Sequence, residues 1–130
     1  MVTSRVRKIL LADEREDYRE RYTEFLKDTF RVTATGVGAF GDAVAIFDRH
    51  DFDLVVIGEK LVTGNGLTLL RLLRKTNAQV PIVFVGIKDS KVLEEARKAG
   101  ASETILKIPW VLNTNEMRTN LFIRLGLLSE

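Results

Sequence analysis

A chain of 130 residues, 45% hydrophobic and 29% charged, has the size of one compact domain and enough apolar material for a packed core. Its net charge is +2, with Lys and Arg scattered among Asp and Glu, so it offers no like-charged block for nucleic acid or an anionic membrane. There is no cysteine and a single histidine, His50, which excludes disulfides, thiol catalysis, thiolate or multi-histidine metal sites and a Ser–His–Asp triad.

The first eight residues lack the apolar region of a signal peptide, and no apolar run approaches a membrane span. A cytoplasmic protein is expected, with one domain over residues 1–130 and neither linker nor repeat. In chain order, the continuously apolar run 9–12 comes first and suits a parallel strand buried on both faces. Tyr18, Tyr22, Phe25 and Leu26 then form a helical stripe with charge on the opposite face. Residues 31–35 alternate, as a strand nearer a sheet edge does, and Gly36, Gly38 and Gly41 after them read as a turn. They lack the full spacing of a phosphate-binding glycine loop. Ala43, Ile46 and Phe47 give a short second helix, with His50 at its C-terminal end, where it can interact with the helix dipole.

The apolar run 54–57 is the third strand. A third helix opens at Asn65-Gly66 and carries Leu67, Leu70, Leu73 and Arg74. The run 82–85 is the fourth strand. A fourth helix carries Val92, Leu93, Ala96 and Ala99 and ends at Gly100 as a left-handed cap. Residues 103–108 form the fifth strand. Asn113 and Glu116 can then make a capping box for a fifth helix that turns Met117, Leu121, Leu125 and Leu128 inward. Regular alternation of strand and helix predicts an α/β fold: a parallel sheet wrapped on both faces through right-handed crossovers.

Open sheets of this kind bind ligands beyond the carboxyl ends of their strands. The residues there are Asp13 and Glu14, Gly58 and Glu59, Gly86, and Lys107. Two acids and a lysine on one rim suit a phosphate or divalent-cation site. They equally suit a charge cluster in which Asp13 and Glu14 favour the positive end of the first helix.

Several segments together resemble the receiver domain of bacterial two-component response regulators. They are Lys8-Ile-Leu-Leu-Ala-Asp13-Glu14 with Arg19, Asp53-Leu-Val-Val-Ile57 followed by Gly64-Asn65-Gly66-Leu67, Pro81-Ile-Val-Phe-Val85, and Gly100-Ala101 with Lys107 and Pro109. The resemblance spans nearly the whole chain and implies a doubly wound, flavodoxin-like sheet of five strands in the order 2-1-3-4-5, with five helices. It also places the family's functional positions. The magnesium-binding acid pair falls on Asp13 and Glu14, and the lysine that pairs with the phosphoryl group on Lys107. The phosphoryl-accepting aspartate falls on Gly58, the Ser or Thr that senses the phosphoryl group on Gly86, and the aromatic switch residue on Thr104. Ile108 separates Lys107 from Pro109, where the family usually joins lysine directly to proline.

Acyl phosphate formation needs a carboxylate nucleophile in line with the donor, and glycine has no side chain. Glu59 is a poor substitute, because successive strand side chains point to opposite faces and its own should aim away from the pocket. With one of three acids gone, Asp13 and Glu14 are expected to bind magnesium weakly at most. An internal ion pair with Lys107 is the favoured account of their retention, and no cofactor is expected. Gly58 and Gly86 end adjacent strands and should leave a notch. Either a bulky neighbour such as Glu59 or Trp110 fills it, or the loops close over it.

The expected function is therefore that of a pseudo-receiver: not an enzyme, but a phosphorylation-independent protein–protein interaction module in bacterial signal transduction. The family's surface of fourth helix, fifth strand and fifth helix is the expected contact for a protein partner or an adjacent output domain, and a homodimer is possible. Trp110 could anchor such a contact. Neither membrane nor direct nucleic-acid binding is expected. The alternatives are a conventional receiver with a displaced acceptor and a small-ligand or nucleotide-binding domain on the same fold. Whether the chain is a fragment of a longer protein is left open.

Overall fold

The computed structural model describes residues 3–4, 7–30, 32–87, 90–106 and 128–129. Five strands, β1 (Lys8–Ala12), β2 (Thr33–Val37), β3 (Leu54–Gly58), β4 (Ile82–Gly86) and β5 (Glu103–Leu106), form one parallel sheet in the order β2-β1-β3-β4-β5. This is the doubly wound order expected. Four helices lie among the described residues: α1 (Glu16–Phe30), α2 (Phe40–Arg49), α3 (Gly66–Thr76) and α4 (Ser90–Lys98). Leu128, expected on a fifth helix, instead pairs with Ser4 in a short antiparallel strand; the rest of that expected helix, together with Lys107, Ile108, Pro109 and Trp110, lies outside the described residues.

Strand alternation sends the side chains of β1, β3 and β4 to two cores. Ile9, Leu11, Leu54, Val56, Val83 and Val85 face one apolar cluster, into which α1 brings Tyr18, Tyr22 and Leu26. Leu10, Ala12, Val55, Ile57, Ile82 and Phe84 face the other, built with Ala43 and Phe47 of α2, Leu69, Leu70 and Leu73 of α3, and Leu93 and Ala96 of α4. A continuous apolar run is what a strand covered on both faces requires. The stripes of α1, α2 and α4 are seated as their periodicity indicates. In α3 the buried set includes Leu69, while Leu67 is half-buried.

Helix ends follow local chemistry. Asn65 caps α3, its Oδ1 accepting from the Thr68 N–H at 2.9 Å, the usual role of asparagine at that position. Gly100, at φ +108°, ends α4. The Ala101 N–H reaches the Ala96 carbonyl and the Gly100 N–H reaches the Arg97 carbonyl, both at 3.0 Å. This is the paired hydrogen bonding of a left-handed glycine cap. His50 stands at the C-cap of α2.

The second strand also needs correction. It runs two residues later than its alternation suggested, so Gly36 lies inside β2, paired with Leu11, instead of in a turn. The packing of α1 favours a small residue there: a Cβ at Gly36 would stand 3.3 Å from Arg19 Cβ. The segment after β3 folds into a small antiparallel hairpin pairing Lys60–Leu61 with Gly64–Asn65. A further short pair joins Thr3–Ser4 to Leu128–Ser129.

Candidate functional site

The rim at the carboxyl ends of β1, β3 and β4 is bound together by its own backbone. The Asp13 N–H donates to the Val37 carbonyl and the Glu14 N–H to the Lys60 carbonyl, both at 3.0 Å. The Val62 N–H donates to the Gly38 carbonyl at 2.8 Å, and the Val62 carbonyl accepts from the Phe40 N–H at 3.0 Å. That last bond serves the start of α2, whose N-cap, Ala39, has no capping side chain. The hairpin after β3 is thereby tied to the loop after β2 as well as to the loop after β1. Arg19 adds side-chain bonds, its Nη1 donating to the carbonyls of Asp13 at 2.8 Å and Glu14 at 3.1 Å.

Asp13 is buried, with 2% of its surface exposed. Its Oδ1 accepts from the Arg15 N–H at 2.9 Å. Its other oxygen lies over Gly58: an ideal Cβ built at Gly58 would stand 2.2 Å from Asp13 Oδ2, 2.9 Å from Cγ and 3.3 Å from Cβ. The backbone of Gly58 is not in the left-handed region, so conformation does not require glycine there. Space does. The carboxylate of Asp13 occupies the volume into which a side chain at position 58 would project.

Gly86 is filled from the other side. A Cβ there would lie 2.8 Å from Leu93 Cδ2 and 3.3 Å from Val92 Cγ1, so the first turns of α4 pack down on the end of β4. The notch expected from the two glycines is thus occupied, but by Asp13 and by Leu93 with Val92. Glu59 fills neither place. Its N–H donates to the Val85 carbonyl at 3.0 Å, its carbonyl accepts from the Gly66 N–H at 2.8 Å, and its Oε1 accepts from the Ile87 N–H at 3.0 Å. The Glu59 side chain thus reaches the first amide after β4 and not the space over Gly58. Alternation along the strand gives no hint of the bond to Ile87, which depends on the loop after β4.

Close approach also explains Gly66. A Cβ there would fall 1.9 Å from the Gly58 carbonyl oxygen, so α3 can begin against the end of β3 only with glycine at this position. Thr104 pairs with Phe84 in the β4–β5 ladder. Its Oγ1 is buried and has no hydrogen-bond partner among the described residues. Glu14 is exposed. Beside it, the Arg15 guanidinium bonds to Asp17 at 2.8 Å and lowers the Asp17 carboxyl pKa, while the pKa of Arg15 is raised. Lys107, the remaining expected member of the site, lies outside the described residues.

The family profile of the response regulator receiver domain matches residues 9–119, and the chain belongs to that family. Receiver domains are signalling modules that act through partner proteins or output domains. Comparison with curated proteins returns no match. Among solved structures, the chain is similar to a two-component response regulator from Clostridium difficile, at 21% identity and TM-score 0.81, covering 92% of this chain and 96% of that one. It is also similar to NtrX from Brucella abortus, crystallised in complex with ADP, at 22% identity and TM-score 0.79, and covers 94% of this chain but 27% of NtrX. A CheY-like receiver domain protein from Methanospirillum hungatei matches at 19% identity and TM-score 0.76, with 94% of each chain covered. No helix among the described residues is long and apolar enough to cross a membrane.

Proposed function

We propose that this receiver domain works without phosphorylation, as a protein-interaction module in signal transduction. The observation that carries the reading is the Asp13 carboxylate lying where a side chain at Gly58 would stand, with 2.2 Å between its Oδ2 and the Cβ position. A receiver is phosphorylated on a carboxylate at the end of its third strand, and here that strand ends on glycine. Glu59 is the next acid in sequence, but its Oε1 is held by the Ile87 N–H. A nucleophile must instead stand free and in line with the donor.

The donor set also fits magnesium poorly. Magnesium takes octahedral oxygen ligation at short, regular distances. Asp13 already gives Oδ1 to a backbone N–H, and Glu14 is its only acidic neighbour in the family's metal position. Among the described residues no three acids or histidines gather as a metal site. Asp13 therefore serves this domain as a space-filling, hydrogen-bonded part of the rim.

The face formed by α4 and β5 is the proposed contact for a protein partner or an output domain. The outward positions Lys91, Glu94, Glu95, Arg97 and Lys98 of α4 are exposed and mixed in charge, which favours a partner of complementary mixed charge over a polyanion. The test of phosphorylation independence is incubation with a small-molecule phosphodonor and magnesium, followed by intact mass. An unchanged mass is expected, and a gain of one phosphoryl group overturns the reading. A pull-down from the native host then identifies the partner.

A further inference from the structure

We infer that the Glu59 carboxylate is a built-in latch, an anion belonging to the chain itself that fixes Ile87 where the chain leaves β4, beside the place where Leu93 and Val92 seat α4 on Gly86. The inference rests on the phosphorylation-independent reading, since a Glu59 that accepted phosphate could not serve permanently in this way.

Three bonds fix the latch. The Glu59 backbone is held on both sides, its N–H by the Val85 carbonyl at 3.0 Å and its carbonyl by the Gly66 N–H at 2.8 Å. These bonds set the direction of the half-buried side chain, whose Oε1 then takes the Ile87 N–H at 3.0 Å. That amide is the first after β4. The helix α4 begins at Ser90, three residues later. A carboxylate accepting from a backbone N–H makes a charge-assisted bond, stronger than one between neutral groups.

The apolar half of the device lies beneath. Because Gly86 has no side chain, Leu93 and Val92 occupy the space beside it, and Leu93 is buried at 7% exposure. A polar bond therefore holds Ile87 where the chain leaves the sheet, and an apolar plug seats α4 against Gly86. In the receiver family the residue at position 86 senses a transient phosphoryl group. Here the contact between an anion and the loop after β4 needs neither donor nor metal, and α4 is presented to a partner in a constant position.

The test is residue-resolved amide hydrogen exchange on the full chain in the wild type, Glu59→Ala and Glu59→Gln. Loss of the carboxylate should speed exchange at Ile87 and in the first turns of α4 by roughly ten-fold, the scale of one charge-assisted hydrogen bond. Amides of β1 and α2 should stay as they were. Glu59→Gln keeps an acceptor oxygen without the charge and should lose only part of the protection. Unchanged exchange at Ile87 in Glu59→Ala overturns the latch, and so does an equal loosening of β1 and α2. If Glu59→Ala fails to fold, Glu59→Gln alone decides: protection at Ile87 equal to the wild type overturns the latch. A phosphodonor arm separates the two readings. A mass gain in the wild type that disappears in Glu59→Gln makes Glu59 an acceptor and sinks the underlying reading. Altered exchange without any mass gain bears on the latch alone.

Discussion

Filling the Gly58 space by one methyl group tests the packing of the rim. In Gly58→Ala the new Cβ stands 2.2 Å from Asp13 Oδ2 and 2.9 Å from its Cγ, so the buried carboxylate must swing away from its bond with the Arg15 N–H. Overpacking of this kind costs about 1–3 kcal/mol. The backbone at 58 is not left-handed, so the substitution carries no conformational penalty. With Asp13 shortened to alanine the two closest contacts disappear, and only the Cβ of residue 13 remains, at 3.3 Å. Against that contact, replacing glycine by alanine gains about 0.4–1 kcal/mol through the lower entropy of the unfolded chain. The cost of Gly58→Ala thus depends on the residue at 13, and the two substitutions should couple by about 1–3 kcal/mol. Urea unfolding of the wild type, Asp13→Ala, Gly58→Ala and the double variant measures this coupling as a double-mutant cycle. Additivity within about 0.5 kcal/mol, the behaviour of independent sites, would refute the claim that Asp13 occupies the Gly58 space.

Three further outcomes follow from the same structure. Arg74 donates to the carbonyls of Gly100 at 2.8 Å, Asn77 at 3.3 Å and Val80, and to Ser102 Oγ at 3.2 Å, and burial lowers its pKa; Arg74→Ala should cost about 1.5–3 kcal/mol, read as a lower urea midpoint with an unchanged slope. Thr63 sits at φ +59° in the hairpin after β3, an expensive conformation for a β-branched residue, so Thr63→Gly should raise the thermal midpoint in calorimetry. The Asp17 carboxyl is held below its usual pKa first by the Arg15 hydrogen bond and then by the Tyr18 N–H. The stabilisation it gives is present above the unfolded pKa and is lost as pH falls through the folded one; an NMR titration should find its midpoint higher in Arg15→Gln, with little effect at high salt because the pair is exposed.

The strands and helices could be read from the chain because they rest on local, repeating signals, whereas the strand order came from the resemblance to the receiver family. Runs such as Leu54 to Ile57 are apolar on both faces only when both faces are covered, and Asn65 and Gly100 mark helix ends through their own chemistry. The hairpin after β3 was not legible, since its strands have two residues each and Thr63 is a poor sequence signal for a left-handed turn. The placement of β2 was missed because Gly36 resembles a turn residue until Arg19 is seen packed along it. At the site, the residue types were visible but their contacts were not. The occupation of Gly58 by Asp13 and of the Ile87 amide by Glu59 each join segments distant in sequence, and that of Gly86 by Leu93 depends on how α4 turns back onto the end of β4. The same holds for Arg74, which reads as one more position on a helical stripe until the loop before β5 closes against it.

The most direct measurement is a titration of the isotope-labelled domain with magnesium and beryllofluoride, a phosphoryl mimic, followed through its backbone amide resonances. With the rim already filled from within, the resonances of Asp13, Glu59 and Ile87 should stay in place throughout. Saturable shifts at those three residues would mean that the rim opens to the metal and the anion, contradicting a domain that signals without phosphate.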